Sequence, residues 1–129
     1  MTDNFKYTNT TQKIIKAFYQ VYNTLGYGFL EKVYENAIII ELKLMGINVE
    51  KQKQIKVYYK EEQVGEYYPD LIIDNSVIVE LKAAESLCES HEFQLINYLK
   101  ATDIEVGLLL NFGKSSEIKR KVFSNKKIF

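Results

Sequence analysis

Asp74-Asn75-Ser76 separates two short apolar runs, Leu71-Ile72-Ile73 and Val77-Ile78-Val79. No other feature restricts the fold of this chain as tightly. Asp, Asn and Ser favour turns because their short polar side chains bond to nearby backbone. A three-residue loop here makes the flanking runs an antiparallel hairpin and sets its register. Ile73 then faces Val77, Ile72 faces Ile78 and Leu71 faces Val79. Carried outward by one pair, the register sets Asp70 opposite Glu80 on one sheet face, with Cβ atoms about 5 Å apart. Two opposed carboxylates repel unless something positive sits between them, whereas exposed cross-strand pairs usually carry opposite charges.

The rest of the chain supplies elements to surround this hairpin. Residues 8–25 read as a helix, with Ile14, Ile15, Phe18, Val21, Tyr22 and Leu25 on one face at spacings of three and four. Gly26 and Gly28 break it. A second helix is expected over residues 29–45, with Leu30, Val33, Tyr34, Ala37, Ile38 and Leu42 inward and Gly46 as its stop. Residues 55–59 alternate as a strand, residues 60–63 read as a turn, and residues 64–73 and 77–83 as the next two strands. Residues 89–101 form a helix with Phe93, Leu95, Ile96 and Leu99 as its apolar positions. The almost wholly apolar residues 104–111 suit a central buried strand. Residues 118–123 complete the sheet. The order is α-α-β-β-β-α-β-β: an α/β fold, a mixed β-sheet flanked by helices.

A chain of 129 residues suits one domain, residues 1–129, around one core. No stretch approaches the roughly 18 consecutive apolar residues of a membrane span. Residues 1–13 lack the apolar run of a secretory signal. Cys88 is the lone cysteine, so no intrachain disulfide forms. A cytoplasmic protein that does not enter membranes is expected. Net charge is zero, yet it is unevenly spread. Acids dominate residues 61–105. Lys114, Lys119, Arg120, Lys121, Lys126 and Lys127 follow Gly113, and Lys51, Lys53 and Lys56 form a second basic group. The pattern fits a cation site beside a polyanion-binding surface, with Lys119, Arg120 and Lys121 as candidate nucleic-acid contacts. A solvated tail and strand face explain it equally.

The acid pair carries the chemistry. Its oxygen ligands favour magnesium, manganese or calcium. Lys82 lies two residues beyond Glu80 and so on the same face. An ammonium there can hold a scissile phosphate, orient a water or offset charge in the transition state. Two acids, a metal and a lysine suit metal-assisted phosphodiester hydrolysis, and the Leu81 carbonyl offers a further oxygen ligand. Alone, Glu-Leu-Lys is an ordinary strand pattern; its pairing with Asp70 makes it sharper. Gln94 and Tyr98 share one helix face, as do Glu31 and Tyr34 behind Gly28. Taken alone, Gln94 and Tyr98 read equally as helix surface, and Glu31 as an acid favoured by the helix dipole. His91 is read as a helix-start residue, Cys88 as a packing residue, and Asn111-Phe112-Gly113 as a strand-ending turn. Tyr58, Tyr59, Tyr67 and Tyr68 can stack on bases, but aromatics are favoured on strands anyway.

Gly28-x-x-Glu31-x-x-Tyr34 resembles the signature of the GxxExxY protein family, which is placed in the PD-(D/E)xK nuclease superfamily. The similarity runs over residues 14–123. It includes Pro69-Asp70, Glu80-Leu81-Lys82, the helix at residues 91–100 and the segment Gly107-Leu-Leu-Leu-Asn-Phe-Gly113. The resemblance implies a restriction-endonuclease-like core. It matches Glu31 to the superfamily's helical acid, Asp70 and Glu80 to its metal ligands and Lys82 to its catalytic lysine. Gln94 and Tyr98 are similar to the Gln-x-x-x-Tyr helix of RecB-like nucleases. The implied activity is a magnesium- or manganese-dependent nuclease acting on DNA. Zero net charge and the want of an evident recognition domain favour an alternative, a non-catalytic module that binds nucleic acid or a protein. A third reading is a structural subunit, a homodimer with a vestigial acidic site.

Overall fold

The computed structural model describes residues 7–124; Lys126 and Lys127 of the basic tail lie outside them. Helix α1 (Thr8–Leu25) buries Thr11, Ile14, Ala17, Phe18 and Val21 at helical spacing. It ends where Gly26 adopts φ 70 and returns its N–H to the Tyr22 carbonyl. Helix α2 (Glu31–Leu44) buries Tyr34, Glu35, Ile38, Ile39 and Leu42. Two expected inward positions are exposed: Leu30 (80%) precedes the helix, and Val33 lies on its far side from the buried stripe.

Seven strands follow: β1 (Val49–Lys51), β2 (Ile55–Tyr59), β3 (Glu62–Tyr67), β4 (Leu71–Ile73), β5 (Val77–Lys82), and, after helix α3 (Glu89–Lys100), β6 (Val106–Phe112) and β7 (Ser116–Val122). The main sheet has the order β1-β4-β5-β6-β7, and β2-β3 form a separate hairpin. Only β5 and β6 are parallel, joined through α3; the other neighbours are antiparallel. The expected arrangement, a mixed sheet flanked by helices, is therefore present. The expected strand at residues 64–73 is divided. Pro69, which has no N–H to give a ladder, stands between β3 and β4, and the two halves join different sheets. Strand β1 escaped the sequence pattern because it is three residues long, Val-Glu-Lys, and is defined by its pairing with β4.

The hairpin register holds along the observed ladder: Ile73 pairs with Val77, Ile72 with Ile78 and Leu71 with Val79. Asp74 and Asn75 take left-handed φ values of 50 and 53, which such residues tolerate. Alternation along β5 and β6 then builds two cores. Val77, Val79, Leu81, Val106, Leu108, Leu110 and Phe112 pack against α1 and α2. Ile78 and Leu109 pack on the other face, with Leu95, Tyr98 and Leu99 of α3 and Ile55 of the hairpin.

Candidate active site

The carboxyl ends of the parallel pair β5 and β6 meet the start of α2, the position at which open α/β sheets commonly hold ligands. The turn into α2 is built by two of the three signature residues. Gly28 has φ 110, a value strained for any side chain. Fully buried Tyr34 donates its hydroxyl to the Gly26 carbonyl (2.6 Å) and accepts the Phe29 N–H (3.1 Å). Its ring stacks on Phe112 at 4.2 Å. Glu31, exposed at the first turn of α2, is then held at the mouth of a cavity of about 240 Å³. The other lining residues are Lys32, Glu35, Gln52, Asp70 and Leu81.

The β4-β5 ladder stops at Leu71 and Val79, one pair short of Asp70 and Glu80. The two acids do not simply stand side by side as the extended register implies. Each bonds the other's strand instead: the Asp70 N–H donates to Glu80 Oε2 (2.7 Å), and the Leu81 N–H donates to Asp70 Oδ2 (2.8 Å). Burial, and then the Asp70 charge, pushes the Glu80 carboxyl up to about 8, against the opposing pull of the Asp70 N–H and Lys82. Burial raises Asp70 as well; Glu35 and Glu31 add to this, while the Leu81 N–H and Lys82 oppose it.

Strand alternation sends Lys82 to the α3 side, where its Nζ makes a long hydrogen bond to Gln94 Oε1 (3.4 Å). Tyr98, one turn further along α3, is buried. Burial, then the Glu80 and Asp70 charges, pushes its hydroxyl up to about 12. Its ring meets Tyr67 of the hairpin at 5.6 Å. Asp70, Glu80, Lys82, Gln94 and Tyr98 thus lie in one neighbourhood, with Glu31 at its rim.

The basic cluster is not one surface. Lys119 and Lys121 pair with Leu109 and Gly107, on the α3 face, where Lys121 forms an ion pair with Glu92. Arg120 pairs with Leu108 on the opposite face and reaches Thr11 Oγ1 at 3.5 Å. His91 lies in the first turn of α3, where its Nδ1 accepts the Cys88 N–H (3.3 Å). Cys88 is exposed rather than packed, with its sulfur 3.1 Å from the Ser90 hydroxyl.

Two residues matter more than their sequence suggested. Asn111 is no turn residue: it is fully buried within β6. Its side chain accepts the Ala84 N–H and donates to the Ala84 carbonyl, both at 2.9 Å, mooring the loop that follows Lys82. Gly113 completes the mooring, since a Cβ there would lie 2.3 Å from the Ala84 carbonyl oxygen. Glu35 is the other. The signal for it was a Glu four residues after Glu31, set in the apolar stripe of Tyr34, Ile38 and Leu42. It is 5% exposed; one oxygen meets Lys32 Nζ at 3.0 Å, and buried Oε2 has no hydrogen-bond partner.

Among the described residues, no three Asp, Glu, His or Cys side chains converge closely enough to hold an ion between them. The donor chemistry nonetheless fits a hard cation: the donors are all oxygen, Asp70 and Glu80 are left short of positive charge, and one buried carboxylate oxygen is unsatisfied. No described helix is long and apolar enough to cross a membrane. No curated protein and no solved structure matches the chain. The sequence profile of the PD-(D/E)XK nuclease superfamily matches residues 8–121, from α1 into β7. The mixed sheet with its flanking helices has the architecture of a restriction-endonuclease-like fold. Most of the chain, with the strands and helices that carry the acids and the lysine, is covered by that match, and the chain belongs to the PD-(D/E)XK nuclease superfamily.

Proposed function

We propose that this chain is a divalent-metal-dependent nuclease that hydrolyses phosphodiester bonds in DNA as a single cytoplasmic domain. Membership of the superfamily supports nuclease chemistry, and the spacing of Gly28, Glu31 and Tyr34 supports the GxxExxY group within it. The observation that carries the reading is the meeting of Asp70, Glu80 and Lys82 at the end of β5. Each carboxylate there is held by the other strand's amide. Asp70, Glu80, Glu31 and the Leu81 carbonyl are the residues that would hold magnesium or manganese. The ion, when bound, supplies Lewis-acid polarisation of a phosphate and activation of a water.

The chain's own groups do the rest. The amides of Asp70 and Leu81 orient the two carboxylates and keep them from turning away. Lys82 holds the scissile phosphate or the attacking water and offsets charge as it builds on the phosphate. Gln94 restrains the Lys82 ammonium through its side-chain oxygen. Tyr98 stays protonated at neutral pH and so remains a hydrogen-bond donor toward the acids or the substrate.

The test is cleavage of labelled single- and double-stranded DNA and RNA with magnesium or manganese. Lys82→Ala should retain metal binding, because an ammonium is not a ligand, and lose about 100-fold or more in rate. Equal rates in mutant and wild type remove the lysine from the mechanism. Wild-type protein that binds these substrates but cuts none is the non-catalytic module instead.

A further inference from the structure

We infer that Glu35 is an acid of the metal site, and that Lys32 is the counter-ion it gives up when a divalent cation binds. The inference rests on the metal-dependent reading above and adds a residue to it. A carboxylate in the inward stripe of a helix is costly to desolvate unless both oxygens are satisfied. Glu35 lies between Tyr34 and Ile38 with 5% of its surface exposed, yet Oε2 has no hydrogen-bond partner. Its other oxygen has only Lys32, whose side chain is 60% exposed and therefore largely solvated. An exposed lysine compensates a buried carboxylate poorly. A stripe serving packing alone would carry an apolar residue here.

The surroundings identify what is missing. Glu35 lines the same cavity as Asp70 and Leu81, with Lys32 and Glu31 beside it. Glu31 shares its helix face one turn earlier but is exposed, so water can satisfy Glu31 and not Glu35. The ligand that fits two carboxylates facing a small polar cavity is a hard divalent cation with oxygen ligands. A cation drawn to Glu35 and Asp70 repels the Lys32 ammonium, which has open solvent to enter.

The experiment measures manganese binding by the electron paramagnetic resonance signal of free ion, and the magnesium-dependent rise in Tm. The proteins are chelator-treated wild type, Glu35→Gln, Glu31→Gln, Lys32→Met and Asp70→Asn. Glu35→Gln should weaken manganese binding by about tenfold or more and more than Glu31→Gln does. Lys32→Met should tighten it severalfold in wild type and much less in the Glu35→Gln background, because the ammonium competes with the ion through the Glu35 carboxylate. If Asp70→Asn loses the metal and Glu35→Gln binds like wild type, Glu35 is structural and this inference alone fails. If wild type binds no metal, or Asp70→Asn binds as well as wild type, the metal reading fails and takes the inference with it. Should Glu35→Gln not fold, Lys32→Met decides: tighter binding supports the inference, and unchanged or weaker binding overturns it.

Discussion

Burial and two neighbours, Asp70 and Lys82, act on the charge of Glu80, and they pull in opposite directions. Burial and Asp70 disfavour its charge; the Asp70 N–H and Lys82 favour it; the first pair prevails. The folded carboxyl, pushed up to about 8, therefore holds a proton that the unfolded chain has lost above about 4.5. Where the folded state binds more protons, stability falls as pH rises. The contribution of protonated Glu80 is full below the unfolded value and is lost as pH rises through the folded one. In chelator, Tm should fall between about pH 5 and pH 8, and Asp70, also raised, adds in the same direction. Glu80→Gln should flatten that fall, and saturating magnesium should reduce it by replacing the proton with a cation. A Tm that rises across this range, measured calorimetrically, contradicts the assignment. The same residue illustrates how much of the site was legible beforehand. Its neighbour across the hairpin followed from turn chemistry, but the exchange of backbone hydrogen bonds with Asp70 did not. That exchange depends on the chain leaving the ladder at Pro69-Asp70.

At the scale of elements, the α1-α2 turn and the loop after β5 are shaped by single buried polar groups. Asn111 performs this task for the second loop from within β6. Tyr34 performs it for the first, satisfying the Gly26 carbonyl and the Phe29 amide with one hydroxyl. Tyr34→Phe keeps the ring stack on Phe112 and strands both backbone groups. The loss should be about 1–3 kcal/mol, visible as a lower urea midpoint with an unchanged slope. Because that turn aims Glu31 and Glu35, metal binding should weaken as well. A midpoint equal to wild type would mean that water replaces the hydroxyl at no cost. The resemblance marked Gly28, Glu31 and Tyr34 as a unit and Glu31 as its functional member; taken alone, Glu31 read as an acid favoured by the helix dipole. The structure divides the labour: two residues build the turn and one faces the cavity.

Taken whole, the molecule carries no net charge and divides its basic cluster between two sheet faces. Lys119 lies in register with Leu109, which pairs with Glu80, so Lys119 and Glu80 share a face two strands apart, about 10 Å. Lys121 is engaged with Glu92, and Arg120 looks toward α1. Few phosphates can therefore be neutralised near the acids. DNA affinity, measured in calcium, should fall with log salt at a slope of magnitude about 1 to 3. Lys119→Glu should weaken binding, and Arg120→Glu should weaken it much less. A steep slope, or equal losses in the two variants, would place the DNA on a different surface. The apolar run at residues 104–111 already marked β6 as central. The sequence did not disclose that β2 and β3 leave the main sheet, exposing Tyr58 and Tyr59.

Local chemistry alone determined the three helices, the 73-to-77 hairpin register and the helical pairing of Gln94 with Tyr98. Each follows from periodicity or turn geometry within a few residues. It also determined that Asp70, Glu80 and Lys82 come near one another, since a tight hairpin leaves little freedom in which residues meet. Only the tertiary structure decided that β1 borders β4, that Pro69 parts β3 from β4, and that Asn111 moors a loop 27 residues away in sequence. It alone buried Glu35 and left Glu31 exposed on the same helix face. The two glutamates are the same residue type one helical turn apart. They differ because Glu31 is exposed where it lines the cavity, whereas Glu35, one turn on, is covered among the buried side chains of α2, and desolvation depends on what covers a side chain.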